Sequence, residues 1–219
     1  MNEKFVTHNR EPFFQIAKDL IEPNSIVLDI GAGNGNFADF CNHKNIFLFE
    51  GNPISGEYLK NKYKNVFEGK LPKLPFKDNF FDVIHMSHVI EHLQPQEMYD
   101  TLKEFNRCCK PGGALVISAP LLWEGFYDDL SHIKPYNPFI FQKYLCSGDG
   151  DNLTREQIAA NYTVEKLQYR FLEKKFFYTL KNSKSFISRG FFKIYQFFRK
   201  KGFKKFQKTG YTIVLRKGE

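Results

Sequence analysis

Five short apolar runs alternate with segments of helical periodicity through the first 120 residues. The runs have the length and hydrophobicity of buried strands, and they lie at 25–30, 45–50, 65–69, 80–86 and 114–120. Apolar residues recur at helical spacing between them, at 13–22, 37–43, 54–62 and 94–109. Strands that alternate with helices form a mainly parallel sheet with helices on both faces. The pattern therefore predicts a doubly wound α/β fold with right-handed crossovers.

The alternation ends at Pro120, and the rest of the chain is less regular. Residues 121–153 are an aromatic stretch that also contains Gly and Asp, and loops of this length in a compact domain are usually functional or mobile. We therefore expect a substrate loop at 121–153. Helical spacing predicts a helix at 153–173, with Thr154 as its cap. Two further strands are predicted at 175–181 and 211–217.

A basic, aromatic segment at 183–208 lies between these two strands. From Lys181 to Lys208 there are ten Lys or Arg residues and no Asp or Glu, so a helix here would be cationic. One apolar stripe recurs at helical spacing and consists of Ile187, Phe191, Ile194, Tyr195 and Phe198. Such a helix can lie on an anionic membrane or guide an anionic substrate. It can also be an insertion that packs its stripe on the sheet, and nucleic acid is the least favoured partner.

The formal net charge of +8 favours polyanions, anionic substrates or membrane surfaces as partners. The four cysteines form no C-x-x-C pair, which argues against a disulfide framework or a zinc ribbon. The N-terminal segment lacks the apolar core of a signal peptide, and no uncharged run reaches membrane-spanning length. We expect one cytoplasmic domain over 1–219, with peripheral membrane contact through 183–208 left open.

A glycine loop follows the first predicted strand, in the string VLDIGAGNG. Gly31, Gly33 and Gly35 let the backbone turn tightly and let a ligand approach closely. Glu50 closes the second predicted strand, at the distance from the loop where an acid accepts hydrogen bonds from ribose hydroxyls. The loop and the acid together predict a nucleoside ligand.

Residues 25–120 resemble the class I S-adenosylmethionine-dependent methyltransferases, in the branch that methylates small molecules. The similarity is carried by VLDIGAGNG, by FLFEGNP around Glu50, by LPFKDNFFDVIHMSHVIEHL and by LKEFNRCCKPGGALVISAP. The resemblance implies a Rossmann-like seven-stranded sheet, mostly parallel with an antiparallel last strand. It also implies S-adenosylmethionine as the cofactor. The cofactor-binding residues that it implies are Asp29, Gly31, Ala32, Gly33, Glu50, Gly51, Leu71, Met86 and Ser87.

Two of these positions carry particular expectations. Lys70 stands where many relatives have an acid that contacts the adenine amino group, so the adenine contact is expected from elsewhere, such as the backbone near Leu71. Asp29 is implied to lie near the methionine end of the cofactor. A structural alternative, which we favour for its side chain, is that Asp29 braces the glycine loop by accepting backbone N–H bonds.

The string SHVIEHL contains H-x-x-E-H, which marks some zinc peptidase helices. His88 and His92 would share one helical face, and Glu97 or Glu104 could supply a third ligand. The motif nevertheless follows a buried strand in an open sheet, and a similar string is habitual there in the methyltransferase family. We therefore predict no metal, disfavour a zinc metallopeptidase, and place His88 and His92 at the ligand crevice.

Methyl transfer to oxygen or nitrogen requires positioning of the acceptor and often a base of near-neutral pKa. The preferred candidate for the base or a substrate contact is His132, which lies in the loop after the fifth predicted strand. His92 and Tyr136 are further catalytic candidates. The N/D-P-P-Y/F motif of many nucleic-acid methyltransferases is absent after the fourth strand. We expect a small-metabolite acceptor, with surface-glycan and nucleotide-linked intermediates preferred. The alternative is a non-catalytic nucleic-acid or membrane-surface binding protein on the same fold.

Overall fold

The computed structural model describes residues 2–148, 154–174 and 185–219. The strands are β1 (Val27–Ile30), β2 (Ile46–Glu50), β3 (Val66–Glu68), β4 (Phe81–Ser87), β5 (Cys109–Pro120), β6 (Tyr162–Glu173) and β7 (Phe206–Lys217). The α-helices are α1 (Glu11–Lys18), α2 (Asn36–Cys41), α3 (Pro53–Lys60), α4 (Pro95–Cys108), α5 (Phe139–Leu145) and α6 (Phe186–Lys200). Short 3₁₀ turns form at Glu3–Phe5, Ile90–His92 and Phe126–Asp128.

The seven strands form one sheet in the order β3-β2-β1-β4-β5-β7-β6. The first five strands of that order are parallel, and β7 is antiparallel to both β5 and β6. The predicted mostly parallel, seven-stranded sheet with an antiparallel last strand is thus confirmed. The strand order reverses between β1 and β4, and a crevice opens at such a switch point outside the carboxyl ends of the strands.

Two apolar clusters cover the two faces of the sheet. Successive strand residues point to opposite faces, so Leu28 and Ile84 pack in the cluster that contains α4, whereas Val27 and Val83 pack in the cluster that contains α1 and α2. These clusters hold the central strands from both sides. They fix where the loops after β1, β2 and β4 emerge, and hence the position of the crevice.

The prediction of a helix at 153–173 is wrong, because residues 162–173 form strand β6. This strand pairs with β7, and its register shifts between Val164 and Lys166. The bulge inserts a residue, so the apolar positions Val164, Leu167 and Phe171 are spaced by three and four as on a helix. Because of this bulge, the apolar residues of the strand have helical spacing in the sequence.

The sequence KPGG, at 110–113, separates the helix predicted at 94–109 from the strand predicted at 114–120. It instead lies within β5, which begins at Cys109 and has an irregular register where Phe81 pairs with Cys109 and Val83 pairs with Ala114. The loop predicted at 121–153 contains helix α5, and the basic segment 183–208 contains helix α6. The strand predicted at 175–181 lies outside the described residues.

All four cysteines are free thiols, as their spacing indicated. Cys41 and Cys109 are buried, and burial raises the pKa of each thiol to about 12. Within 2–148, 154–174 and 185–219, no helix has both the length and the apolarity needed to cross a bilayer.

Candidate active site

The glycine loop after β1 is shaped by left-handed backbone at Gly31, Gly33 and Gly35, where φ is 66°, 56° and 79°. A Cβ atom at Gly31 would lie 2.3 Å from the Val89 side chain, so the close packing of the loop on the β4 side requires glycine there. A Cβ atom at Gly33 would meet nothing within 4 Å. Gly33 therefore leaves open space on the ligand side of the loop.

Glu50 links this loop to the loop after β2. One carboxylate oxygen accepts a hydrogen bond from the Gly33 backbone N–H at 2.7 Å, and the other accepts from Asn52 N–H at 2.8 Å. Glu50 is buried at the end of β2, beside the crevice. Two backbone donors thus fix the orientation of this carboxylate at the edge of the crevice.

Asp29 does not brace the glycine loop as favoured from the sequence. Its Oδ1 accepts a 2.7 Å hydrogen bond from Nδ1 of His85, and both side chains are buried. Phe37 stacks on the His85 ring with centroids 3.7 Å apart. Burial raises the pKa of Asp29, and the hydrogen bond from His85 opposes this effect. The loop-bracing role belongs to Glu50, and Asp29 is held instead by a neighbour on β4.

A cleft of about 740 Å³ opens at the carboxyl ends of β1, β2 and β4. Its volume lies in the range of sites for small molecules and cofactors. Five of the predicted cofactor residues line it: Gly31, Gly33, Glu50, Gly51 and Leu71. Three others line an adjoining pocket of about 240 Å³ beside Arg10, namely Asp29, Ala32 and Ser87. The structure thus brings eight of the nine predicted cofactor residues to two adjoining cavities.

Met86 is the exception among these nine residues. Its side chain is 0 % exposed and belongs to the apolar cluster that contains α4, so its side chain has a packing role. The cleft also contains Asn52, Gly69 and Val89, which the sequence argument missed. Asn52 could have been found from its place directly after Glu50, where it also caps α3. Gly69 and Val89 carry no comparable local signal.

The H-x-x-E-H string does not form the helix that a zinc peptidase requires. His88 has left-handed backbone with φ of 59°, and only Ile90–His92 form a 3₁₀ turn, so His88 and His92 do not share a helical face. Nδ1 of His88 lies 3.1 Å from Oε1 of Glu91, and its Nε2 accepts from Arg170 at 3.0 Å. Burial lowers the pKa of His88, consistent with a neutral ring that accepts from arginine.

The three catalytic candidates lie near one another but differ in environment. His92 and His132 face each other with ring centroids 5.0 Å apart, and both are partly exposed. Tyr136 is 3 % exposed, and its hydroxyl donates to the Leu93 carbonyl at 3.0 Å. Because that donor is engaged in the interior, the position of Tyr136 favours packing over contact with an acceptor.

A second, basic pocket of about 230 Å³ adjoins this histidine pair, and sequence reasoning did not find it. Its walls include Arg10, His88, Trp123, His132 and Arg170, and no Asp or Glu is among the described residues that line it. Burial lowers the pKa of Arg170, the charge of Arg10 adds to this effect, and Glu91 opposes it. Arg10 precedes α1 and Arg170 lies on β6, so no local pattern connects them.

A family profile described as "Methyltransferase domain" matches residues 3–167, which is most of the chain. The chain belongs to the class I S-adenosylmethionine-dependent methyltransferases. The methyltransferase is similar to a solved S-adenosylmethionine-dependent methyltransferase from Archaeoglobus fulgidus, with a TM-score of 0.61 and 22% identity. That superposition covers 98% of this chain and 97% of the other, and it shows the shared fold.

Two curated relatives resemble a part of the methyltransferase. Demethylmenaquinone methyltransferase from Chlorobaculum parvum is 28% identical over 124 residues, and the enzyme of that name from Chlorobaculum tepidum is 30% identical over 101 residues. The matches cover 54% and 44% of this chain, and 46% and 41% of the relatives. The chain therefore spans less than half the length of the curated relatives it matches.

The family implies S-adenosylmethionine as the cofactor, and the residues present fit it. Gly33 leaves open space in the cleft, and Glu50 lines the same cleft with a carboxylate that two backbone N–H groups orient. Gly69, Lys70 and Leu71 also line the cleft, and a contact of the backbone near Leu71 with adenine stays a prediction.

Proposed function

We propose that the protein transfers a methyl group from S-adenosylmethionine to an oxygen or nitrogen atom of a small anionic metabolite. The observation that carries the proposal is the basic pocket beside His132. Arg10 and Arg170 both line it, and it adjoins the cleft through His88. A guanidinium pair without a lining carboxylate favours a phosphate or carboxylate group on the acceptor.

The bound cofactor supplies an electrophilic methyl group on its sulfonium. The chain's own residues orient the reactants and exclude water. Glu50 receives the ribose hydroxyls, and the glycine loop lets the backbone approach the cofactor. His132, on the wall of the basic pocket, accepts the proton of the acceptor, while Arg170 and Arg10 hold the anionic group of the acceptor.

The acceptors that suit such a pocket are acidic sugars and nucleotide-linked or lipid-linked intermediates of surface-glycan assembly. The Chlorobaculum relatives are named for demethylmenaquinone, so quinone precursors belong in the same comparison. A ring system without an anionic group would give the partly buried Arg170, which is bonded to His88, no anionic partner, and this is unfavourable for a desolvated charge. The basic pocket thus favours acidic or phosphorylated acceptors over neutral quinone precursors.

A screen with labelled cofactor against matched anionic and neutral metabolites tests the proposal. We expect transfer to an anionic acceptor, and we expect Arg170→Gln to raise the KM for that acceptor by about 10- to 100-fold, because a charged hydrogen bond contributes roughly 1.5–3 kcal/mol. Arg155→Gln is the matched control, since it removes the same charge outside the pocket. Equal KM values in the two variants, or turnover of neutral acceptors alone, would contradict the proposal.

We also propose a cytoplasmic protein that contacts an anionic membrane surface through α6. None of the residues of α6 is buried, and its apolar side chains are exposed, including Ile187, Phe191, Ile194 and Phe198. An insertion packed on the sheet would bury that stripe. The basic residues Lys193 and Lys200 lie on the same helix as the apolar stripe. Arg199 forms an ion pair with Glu173 on β6, which connects the helix to the sheet. An exposed apolar stripe with basic neighbours suits the headgroup region of an anionic bilayer.

Cosedimentation with vesicles tests this contact. We expect binding to anionic vesicles and not to neutral ones, with weaker binding at high salt because screening acts over about 10 Å at 0.1 M. Changing Lys193, Lys200 and Lys204 to Gln is expected to abolish the binding. Changing three exposed lysines outside the segment to Gln is the control, at positions 44, 64 and 73. Tight RNA binding without vesicle binding would instead support the nucleic-acid alternative.

A further inference from the structure

We propose that Glu91, His92 and His132 bind a divalent transition-metal ion at the junction of the cleft and the basic pocket. The sequence-based prediction was that no metal is present, and the tertiary structure gives a reason to revise it. Glu91 and His92 follow β4, whereas His132 belongs to the long loop after β5. The three residues offer one potential ligand atom each, and these atoms all lie within 4.8 Å of one another.

The separation of the ligand atoms is compatible with one ion. Bonds of about 2.0–2.2 Å place ligand atoms roughly 3–4 Å apart around a metal. Binding would therefore draw the three side chains together by roughly 1 Å, which small side-chain rotations can supply. His92 and His132 are both partly exposed, so an ion and an acceptor can enter from the solvent side.

The hydrogen bonds of the two imidazoles leave one nitrogen of each ring available. Nδ1 of His92 lies 3.0 Å from the Ser131 carbonyl oxygen, and Nδ1 of His132 lies 2.5 Å from the Phe126 carbonyl oxygen. A carbonyl oxygen can only accept, so Nδ1 carries the proton in both rings. A ring with its single proton on Nδ1 has its lone pair on Nε2. Histidine ligands of metals are characteristically oriented by such a bond from the other ring nitrogen.

Glu91 supplies an independent indication of a ligand. Its side chain is 1 % exposed, and Oε1 lies 3.1 Å from Nδ1 of His88. Oε2 is buried and has no hydrogen-bond partner among the described residues. A buried carboxylate oxygen without a partner costs free energy, and a bound cation would remove that cost. His88 is in turn held by Arg170, so the carboxylate is oriented through a chain of side chains.

The backbone ties the two ligand segments together. The carbonyl oxygen of Glu91 accepts hydrogen bonds from the backbone N–H groups of Ile133 at 2.8 Å and Lys134 at 3.2 Å. His132 therefore directly precedes a segment that is bonded to the residue before His92. The two histidines and the carboxylate are held together by the fold before any ion binds, which is how metal sites gain affinity.

Two imidazoles and one carboxylate suit Zn²⁺, Mn²⁺, Fe²⁺ or Co²⁺ and leave coordination positions open. The role that we assign to the ion rests on the proposed function: it binds the acceptor hydroxyl and lowers the pKa of that group. With the ion bound, His132 is a ligand and not the base, and the hydroxyl proton passes to water. The oxygen then forms a bond to the methyl carbon as the carbon–sulfur bond breaks, and the sulfur keeps the electron pair, which yields S-adenosylhomocysteine.

Metal titration of the full chain, purified without a polyhistidine tag and stripped with chelator, tests the site directly. We expect the wild type to bind about one Co²⁺ or Zn²⁺ ion per chain, with Co²⁺ giving visible absorption from nitrogen ligation. We expect His92→Ala, His132→Ala and Glu91→Gln each to weaken binding by about 100-fold or more. Circular dichroism of each variant verifies folding, and Glu91→Asp serves if the buried Gln disturbs it.

His43→Ala is the matched histidine control, because the His43 ring is also bonded to a backbone carbonyl but lies outside the cluster. Asp128→Asn removes a charge from the same loop as His132 without removing one of the three ligands. Both controls should bind like the wild type. Absence of stoichiometric binding, or equal affinity in all variants, would overturn the site. The titration needs no acceptor, so a failed acceptor screen leaves this result intact, while full transfer activity in stripped protein would overturn the assigned role.

Discussion

The Gly33→Arg variant is expected to lose S-adenosylmethionine and S-adenosylhomocysteine binding. Gly33 has positive φ, and a Cβ atom there would point into open space beside Glu50 in the cleft. An arginine side chain would occupy the volume that the cofactor requires. It would also place a cation beside the carboxylate that is to accept the ribose hydroxyls. Isothermal titration calorimetry should show affinity reduced by at least about 1,000-fold, from loss of the site rather than of one hydrogen bond.

Gly202→Arg is the matched control for backbone strain. Gly202 also has positive φ and open space at its Cβ position, but it follows α6, away from the cleft. A non-glycine residue with left-handed backbone lowers the stability of each variant by roughly 1–2 kcal/mol. The two variants should therefore differ only in the loss of cofactor binding. Glu50→Ala should weaken binding less than Gly33→Arg. Cofactor binding by Gly33→Arg at wild-type affinity would contradict the location of the site.

The His132→Ala variant is expected to lower kcat by about 100- to 10,000-fold with the true acceptor, the usual cost of losing a general base. A lost metal ligand would have a comparable effect. The affinity for S-adenosylmethionine should change little, since His132 lines the basic pocket and not the cleft. Single-turnover kinetics at saturating cofactor measure the chemical step, and calorimetry measures the cofactor affinity.

Chelation separates the two roles of His132. If His132 acts as the base without metal, stripping the wild type leaves kcat unchanged, and only the substitution lowers it. If His132 is a ligand, stripping reproduces the loss, and added Co²⁺ or Zn²⁺ restores the wild type but not the variant. His43→Ala provides the comparison for removal of a histidine elsewhere. A His132→Ala enzyme with wild-type kcat would return this residue to a structural role in its loop.

Features carried by contiguous residues were predictable from the sequence. The strand and helix periods through Pro120 are local properties, and so are the glycine loop and the distance from it to Glu50. They sufficed for the parallel part of the sheet and for a ligand cleft beside the glycine loop and Glu50. The seven-stranded sheet with an antiparallel last strand was implied by the family resemblance. Errors came where local spacing was ambiguous. The bulge after Val164 gave the apolar residues of β6 a helical spacing, so a helix was predicted there. Met86 was predicted to bind the cofactor, but its side chain lies in the core because strand residues alternate between the two faces of the sheet.

Contacts between distant segments were decided by the tertiary structure alone. The sequence determined that His88, Glu91 and His92 follow a buried strand, but not that His88 adopts left-handed backbone and turns toward Arg170. Sheet order places the loop after β5 beside the end of the neighbouring strand β4, and so brings His132 next to His92. It likewise brings Arg170 to Arg10. No local periodicity in the sequence predicts these contacts, because they depend on which strands are neighbours in the sheet and on which face each side chain lies.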